Sequence, residues 1–259
     1  MPIGVVSAAW IGGKYVAEAA GWGEPGATTV GALVLAGSLA SNAFGLRMSG
    51  RVQLMLGGLL AAVLLCAVLA SLPHLSAAHF TPFMPGGWTS VGTAASVLFF
   101  AFAGWEAASH LSGEFADPPR DLPRVTRNAL AVVTVLYLGL AVATIGALGP
   151  AAAGTDTPLT ALLTQSVGAA AHPVAAVAAL FLTFGAVNSY LAGASRLGAA
   201  LGRGGAAPRW LAKGGEPGGV PRRSLAVLGG AAALPAVAAG WGGVDLQLLM
   251  AATATCLAP

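Results

Sequence analysis

The stretch that decides the fold is Val91–Arg127, which reads VGTAASVLFFAFAGWEAASHLSGEFADPPRDLPRVTR. Its first part, Val91–Leu111, is an apolar run long enough to cross the hydrocarbon core of a bilayer, which takes about 20 helical residues. Glu106 stands inside this run, and Gly104 lies just before it. A charged side chain at the centre of a membrane helix costs roughly 2.5–3.5 kcal/mol, so Glu106 is predicted to face a cavity or a polar partner.

The residues around Gly104 predict a break in this helix. Glycine in a helix interior is destabilising because it loses the most backbone freedom on folding. The bulky aromatic residues near it are Phe99, Phe100, Phe102 and Trp105. We therefore predict a discontinuous helix, broken near Ala103–Trp105, whose free backbone amides and carbonyls line a binding site inside the membrane. The alternative is a continuous helix in which Gly104 is a packing notch and Glu106 is bonded to a neighbouring helix.

The composition of the whole chain is that of a membrane protein. Only 8% of the 259 residues are charged and 56% are hydrophobic, against about 25% charged residues in a soluble domain. The mean hydropathy is +0.79. A soluble protein needs more polar residues than this to cover its surface. Soluble enzymes, soluble nucleic-acid-binding proteins and disordered chains are therefore excluded.

Further apolar runs predict seven full transmembrane helices and a partial eighth. None of the runs alternates like the strand of a membrane β-barrel, so the predicted fold class is an all-α polytopic membrane protein. The predicted spans are Pro2–Ala20, Thr28–Leu46, Val52–Leu72, Val91–Leu111, Ala129–Leu148, Pro173–Leu201, Leu225–Ala239 and Val244–Pro259.

The positive charges predict the orientation of these spans. Every Lys and Arg except Lys14 lies in an even-numbered loop or at its edge, and cytoplasmic loops carry such an excess. These residues are Arg47, Arg51, Arg120, Arg124, Arg127, Arg196, Arg203, Arg209, Lys213, Arg222 and Arg223. Residues 200–223 are thus predicted to be cytoplasmic and residues 149–172 to be outside. Spread over three loops, the charges favour contact with anionic membrane lipids and argue against a nucleic-acid partner.

The run FFAFAGWEAASHLSGEFADPPRDLPRV resembles the sixth transmembrane helix and following loop of the amino acid–polyamine–organocation permeases. In that family an aromatic-rich helix is broken at a Phe-x-Gly-x-Glu segment, and an acidic residue, Asn/Asp-Pro-x-Arg and Pro-Arg follow. The matching residues here are Phe102, Gly104, Glu106, Glu114, Asp117, Pro118, Arg120, Pro123 and Arg124. Asn42–Arg47 and Asn188–Arg196 resemble parts of the family's fourth and eighth helices.

The resemblance implies part of a five-plus-five inverted-repeat transporter fold, as a single transmembrane permease domain over residues 1–259. It implies that the backbone near Phe100, Ala103 and Gly104 meets the α-amino group of the substrate and that Tyr190 faces the same cavity. It also implies a chain that starts inside family helix three and stops inside helix ten, so we expect a piece of a longer protein. The expected substrate-binding set is Phe100, Phe102, Ala103, Gly104, Trp105 and Tyr190. The expected cytoplasmic loop motif is Glu114, Asp117, Pro118, Arg120, Pro123 and Arg124.

The leading hypothesis for function is a secondary active transporter of amino acids in a bacterial cytoplasmic membrane. Its predicted partners are an amino acid, protons and membrane lipids, and no cofactor or metal is expected. The apolar and aromatic cavity wall favours neutral, hydrophobic amino acids. An inactive, truncated permease fragment is one alternative. A membrane-embedded enzyme is the less favoured one, because Glu106 and His110 form no catalytic set of paired aspartates or a Ser–His pair.

Glu106 is the predicted proton-coupling residue. Glu106, His110 and Glu114 lie on one helical stripe, which is typical of a proton path toward the cytoplasm. The alternative interpretation places His110 at the membrane interface and pairs Glu114 with Arg120 in the loop.

Three features are predicted at the outer end of the bundle. Lys14 and Glu18 are spaced to form an ion pair along one helix. Pro158–Val167 is predicted to be a short external helix, and a helix at that place acts as a lid in the family that the chain resembles. Trp22, Trp88 and Trp241 suit an aromatic belt at the outer boundary.

Overall fold

The computed structural model describes residues 2–45, 50–84, 86–99, 117–216 and 219–242, and these ranges are helical with short connections. The α-helices within them are α1 (Pro2–Ala20), α2 (Gly23–Ala43), α3 (Gly50–Ser71), α4 (Gly87–Phe99), α5 (Pro118–Leu148), α6 (Pro158–Val167), α7 (Ala171–Gly204) and α8 (Arg222–Gly242). Short 3-10 turns lie at Leu72–His74, Ala77–Phe80, Gly149–Gly154 and Arg209–Ala212. The all-α class is confirmed.

Three helical segments in the described ranges are long and apolar enough to cross a membrane: Leu54–His74, Pro119–Gly154 and Ala171–Gly204. In the first two, only 11% of the residues are buried, so most of their apolar side chains are at least partly exposed, as expected for helices in contact with lipid. The predicted span Val244–Pro259 and the second half of Val91–Leu111 lie outside the described residues. The number of membrane crossings therefore stays a prediction.

The predicted bounds of α1 and α6 are confirmed, whereas α2 and α5 begin earlier than predicted. Helix α2 begins at Gly23 rather than Thr28, since Gly21 and Gly23 at φ 68° and 63° make the turn after α1. Glu24 in its first turn suits the positive end of a helix dipole.

Helix α5 begins at Pro118, so the motif that was predicted as a loop is helical from that residue onward. Pro118 and Pro119 occupy its first two positions, where a helix needs no backbone N–H donor. The Asp117 N–H donates to the Asp121 carboxylate over 3.3 Å, and Arg120 lies 3.7 Å from the Asp117 carboxylate. Pro118 and Pro119 therefore begin this helix and are not part of a loop.

Helix α1 is the centre of the bundle and packs against α2, α7 and α8. The buried apolar residues at this centre are Val5, Val6, Ala9, Trp10, Val30, Val34, Leu35, Val187, Leu191, Leu225 and Ala232. Glycines allow the close approach. A Cβ atom at Gly31 would lie 3.3 Å from the carbonyl oxygen of Ala9, and one at Gly37 would lie 3.4 Å from the Phe184 ring.

Arginines tie the start of α8 to α2 and the loop before it to α7. Arg222 donates from Nε to the carbonyl oxygen of Ala43 over 3.0 Å, which places a cation at the negative end of α2. Arg203 donates from Nη1 to the carbonyl oxygen of Gly215 over 2.7 Å. Part of the basic charge at this end therefore serves to fix helix ends.

The predicted orientation can be tested by cysteine labelling in cells, in a background that carries Cys66→Ser and Cys256→Ser. Ala153→Cys should react with a membrane-impermeant maleimide, and Glu216→Cys should react only after permeabilisation. Both positions are exposed, so access is set by the side of the membrane. Gly214 is unsuitable, because its φ is +81° and a Cβ would collide with the Val220 carbonyl oxygen. Labelling of Glu216→Cys alone in intact cells would contradict the orientation.

Candidate functional site

The core of the predicted substrate site lies outside the described residues. This applies to Phe100, Phe102, Ala103, Gly104, Trp105, Glu106 and Glu114. Helix α4 is described as far as Phe99, which directly precedes them. The break near Ala103–Trp105 and the coupling role of Glu106 therefore stay predictions.

Tyr190 is half-buried near the middle of α7 and packs against the central core formed with α1, α2 and α8. The helix ends at Ala171 and Gly204 are both far from it. A tyrosine that anchors a helix at the membrane interface lies near a helix end. The position argues against a role as an interfacial anchor, and the site role of Tyr190 stays a prediction.

A pair of asparagines fixes α2 against α7 close to Tyr190. Asn42 donates from Nδ2 to Asn188 Oδ1 over 2.8 Å, and the same nitrogen lies 3.2 Å from the Asn188 carbonyl oxygen and 2.9 Å from that of Ser38. Asn188 is 5% exposed. A buried amide stabilises a contact when its polar atoms are bonded, and here Asn42 Nδ2 donates to Asn188 Oδ1.

Sequence reasoning named these asparagines only as members of two separate stretches that resemble the family. The structure brings Asn42 and Asn188 together. The available signal was that each is a polar residue inside or beside an apolar span, where a side chain must find a partner on another helix.

At the outer end, polar side chains of α1 hold the start of α6. Lys14 Nζ lies 2.6 Å from the Asp156 carboxylate and 3.3 Å from that of Glu24. Glu18 instead accepts a hydrogen bond from the Thr157 hydroxyl. The predicted ion pair between Lys14 and Glu18 is therefore wrong, because partners from other segments compete for both side chains.

A third contact completes this attachment. The backbone N–H of Leu159 donates to the Tyr15 hydroxyl over 3.3 Å. Leu159 is in the first turn of α6, where N–H groups have no partner within the helix. Three polar contacts thus join the last turns of α1 to residues 156–159. Within the described ranges, no three His, Cys, Asp or Glu side chains are placed to hold a metal ion.

The long apolar helices and the buried amide contact between two of the helices are features of a helical membrane protein. The sequence matches the family model described as amino acid permease over residues 1–258. The chain belongs to the amino acid permease family.

Individual relatives agree with this. The uncharacterized amino acid permease YecA of Bacillus subtilis is 31% identical over 253 residues, which cover 96% of this chain and 59% of that protein. The branched-chain amino acid permease BcaP of Bacillus subtilis is 34% identical over 125 residues, or 48% of this chain and 27% of that protein. The chloroplastic cationic amino acid transporter 9 of Arabidopsis thaliana is 30% identical over 115 residues, or 44% of this chain and 20% of that protein. The chain thus spans less than two thirds of the length of these relatives.

Proposed function

We propose that the whole protein carries amino acids across the bacterial cytoplasmic membrane as a secondary active transporter coupled to protons. The observation that carries this proposal is the match to the amino acid permease family over residues 1–258. Since the chain spans 59% of YecA, the proposed activity is that of the full-length transporter.

The proposed substrate site combines the interrupted segment with α7. An opened helix offers N–H donors for a carboxylate and carbonyl acceptors for an ammonium group, as an amino-acid zwitterion requires. The backbone at Phe100, Ala103 and Gly104 would supply these groups. Phe102, Trp105 and Tyr190 would form the wall. The fixed position of α7, held to α2 by the bond between its Asn188 and Asn42, supports a role for Tyr190 as a rigid part of that wall.

The proposed substrates are neutral, hydrophobic amino acids. Apart from Glu106, the expected wall is apolar or aromatic, so the side chain of arginine would lose its hydration without a matching carboxylate. The relative BcaP is named for branched-chain substrates, and the plant relative is named for cationic ones. The two names indicate different substrate classes. The apolar chemistry of the expected cavity wall favours the branched-chain class.

Competition for uptake tests this preference. In proteoliposomes that contain the full-length protein, isoleucine and methionine should compete with radiolabelled leucine at least about tenfold better than arginine, since an unpaired buried charge is strongly rejected. Preferential competition by arginine or by a polyamine would contradict the proposal.

A matched pair of tyrosine variants tests the site within the same assay. Tyr190→Ala should raise the leucine concentration that gives half-maximal uptake. Tyr137→Ala should leave it unchanged, because Tyr137 lies on α5 and is 44% exposed. Equal effects of the two substitutions would remove Tyr190 from the proposed site.

A further inference from the structure

A cavity of about 460 Å³ lies at the outer end of the bundle, between the ends of α1, α5, α6 and α7. Its volume is within the range of about 300–1,000 Å³ that is usual for small-molecule sites. Its polar lining comes from Glu18, Thr160, Thr164, Gln165 and His172, and its apolar lining comes from alanines and Leu148. Along α7, His172 is about 27 Å from Tyr190 at 1.5 Å per residue. The cavity is thus separate from the proposed substrate site.

Two buried hydroxyl groups in the lining have no hydrogen-bond partner among the described residues. They are Oγ1 of Thr160 and Oγ1 of Thr164, on consecutive turns of α6. Thr160 is only 2% exposed. Elsewhere such hydroxyls bond to a carbonyl one turn earlier, as Ser166 does to Leu162 over 2.9 Å. A buried hydroxyl without a partner costs about 1–3 kcal/mol, which a ligand would recover once rotation of the threonine side chains turned the hydroxyls toward the cavity.

The charges around the cavity favour a cation. Glu18 is exposed and lines the cavity, and its carboxylate retains acceptor capacity beyond the bond from Thr157. Lys14, the nearby cation, is already shared by Asp156 and Glu24. Among the described lining residues there is no Lys or Arg that could receive a ligand carboxylate.

We propose that this cavity binds a small primary ammonium ion with an apolar body and no carboxylate group. The ammonium group would pair with Glu18 and donate hydrogen bonds to Thr160 and Thr164. The apolar body would contact Leu148 and the alanine side chains. An amino-acid zwitterion should bind more weakly, because its carboxylate would share the cavity with the Glu18 carboxylate, and His172 is the one group in the described lining that could become a cation.

Isoamylamine tests the proposal, because it is leucine without the carboxylate and carries an ammonium group at neutral pH. Binding is measured by calorimetry on the chain in nanodiscs of neutral phosphatidylcholine, which do not attract amines by charge. Isoamylamine should bind at least about tenfold more tightly than leucine at this site, and isoamyl alcohol should bind more weakly than the amine.

Variants assign the binding to the cavity. Glu18→Gln should weaken isoamylamine binding about tenfold, and Thr160→Val about threefold, as expected for a charged and a neutral hydrogen bond. Glu24→Gln is the matched control and should change it by less than about twofold, since Glu24 is exposed outside the cavity. Ala161→Leu places a larger apolar side chain in the cavity without a change of charge and should weaken binding at least about tenfold.

Three results would overturn the proposal: equal affinity for the amine and for leucine, equal effects of Glu18→Gln and Glu24→Gln, or full binding by Ala161→Leu. Circular dichroism and gel filtration establish that each variant is folded. Leucine uptake by the full-length protein is a separate readout. The proposed transport function and this site can therefore fail independently.

Discussion

Replacement of Gly13 by alanine is expected to destabilise the bundle by about 3 kcal/mol, the upper end of the usual cost of overpacking. A Cβ atom at Gly13 would collide with the carbonyl oxygen of Ala27 and lie 3.0 Å from the backbone nitrogen of Gly31. Both atoms belong to the backbone of α2, so no side-chain rotation can relieve the collision. The effect is measured as a change in unfolding temperature. Samples in detergent are heated, and the folded protein that remains is quantified by size-exclusion chromatography.

Two other glycines provide the controls. Gly57→Ala on α3 meets open space and should leave the unfolding temperature equal or slightly higher, because alanine favours a helix by about 1 kcal/mol over glycine. Gly12→Ala should destabilise through a collision with the Thr183 side chain, and Thr183→Ala should restore much of that loss. Equal unfolding temperatures for Gly13→Ala and Gly57→Ala would show that α1 and α2 do not pack as described.

Glu106→Gln in the full-length protein is expected to abolish accumulation of leucine driven by a proton gradient. A carboxylate can take up and release a proton during each transport cycle, whereas an amide cannot. Exchange of internal for external leucine should persist, because exchange requires no net proton movement. Both processes are measured in proteoliposomes at acidic and at neutral external pH.

The matched control is Glu114→Gln, which changes another carboxylate of the same stretch. If Glu114 belongs to the loop and pairs with Arg120, its substitution should preserve proton-driven accumulation. Accumulation and pH dependence that are unchanged in Glu106→Gln would contradict its coupling role. Loss of exchange together with accumulation would indicate a binding role instead.

The helices whose ends are set by local chemistry were predictable from the sequence. Helix α1 ends before Gly21, which adopts a positive φ of 68°. Helix α6 begins at Pro158, in a first position that suits proline, and is followed by Gly168 at φ 79°. Each signal lies within a few residues of the boundary that it sets.

The polar contacts between distant segments were not predictable in the same way. Lys14 has a carboxylate one helical turn away at Glu18, yet it binds Asp156, which is 142 residues away in the sequence. The spacing of two residues on one helix carries no information about a third residue that folding brings closer. The partnership of Asn42 and Asn188 has the same origin, and only the need of each amide for a partner was visible in advance.

The start of α5 shows a different limit. Asp117-Pro118-Pro119 has the composition of a loop, and the resemblance to the permease family also places it in one. Proline is nevertheless acceptable in the first turn of a helix, so composition alone could not decide between the two. In the structure these prolines begin helix α5. Arg120 and Arg124 are therefore one turn apart on the same helix.

The attachment of α6 determines which parts of the protein can move together. To separate α6 from α1, the molecule must break the ion pair of Lys14 with Asp156, the bond from Thr157 to Glu18 and the bond from Leu159 to Tyr15. We therefore expect α6 to move together with α1 in any rearrangement that leaves these three contacts in place. In the proposed transporter, access from the outside would then be opened by the displacement of other helices relative to α1 and α6.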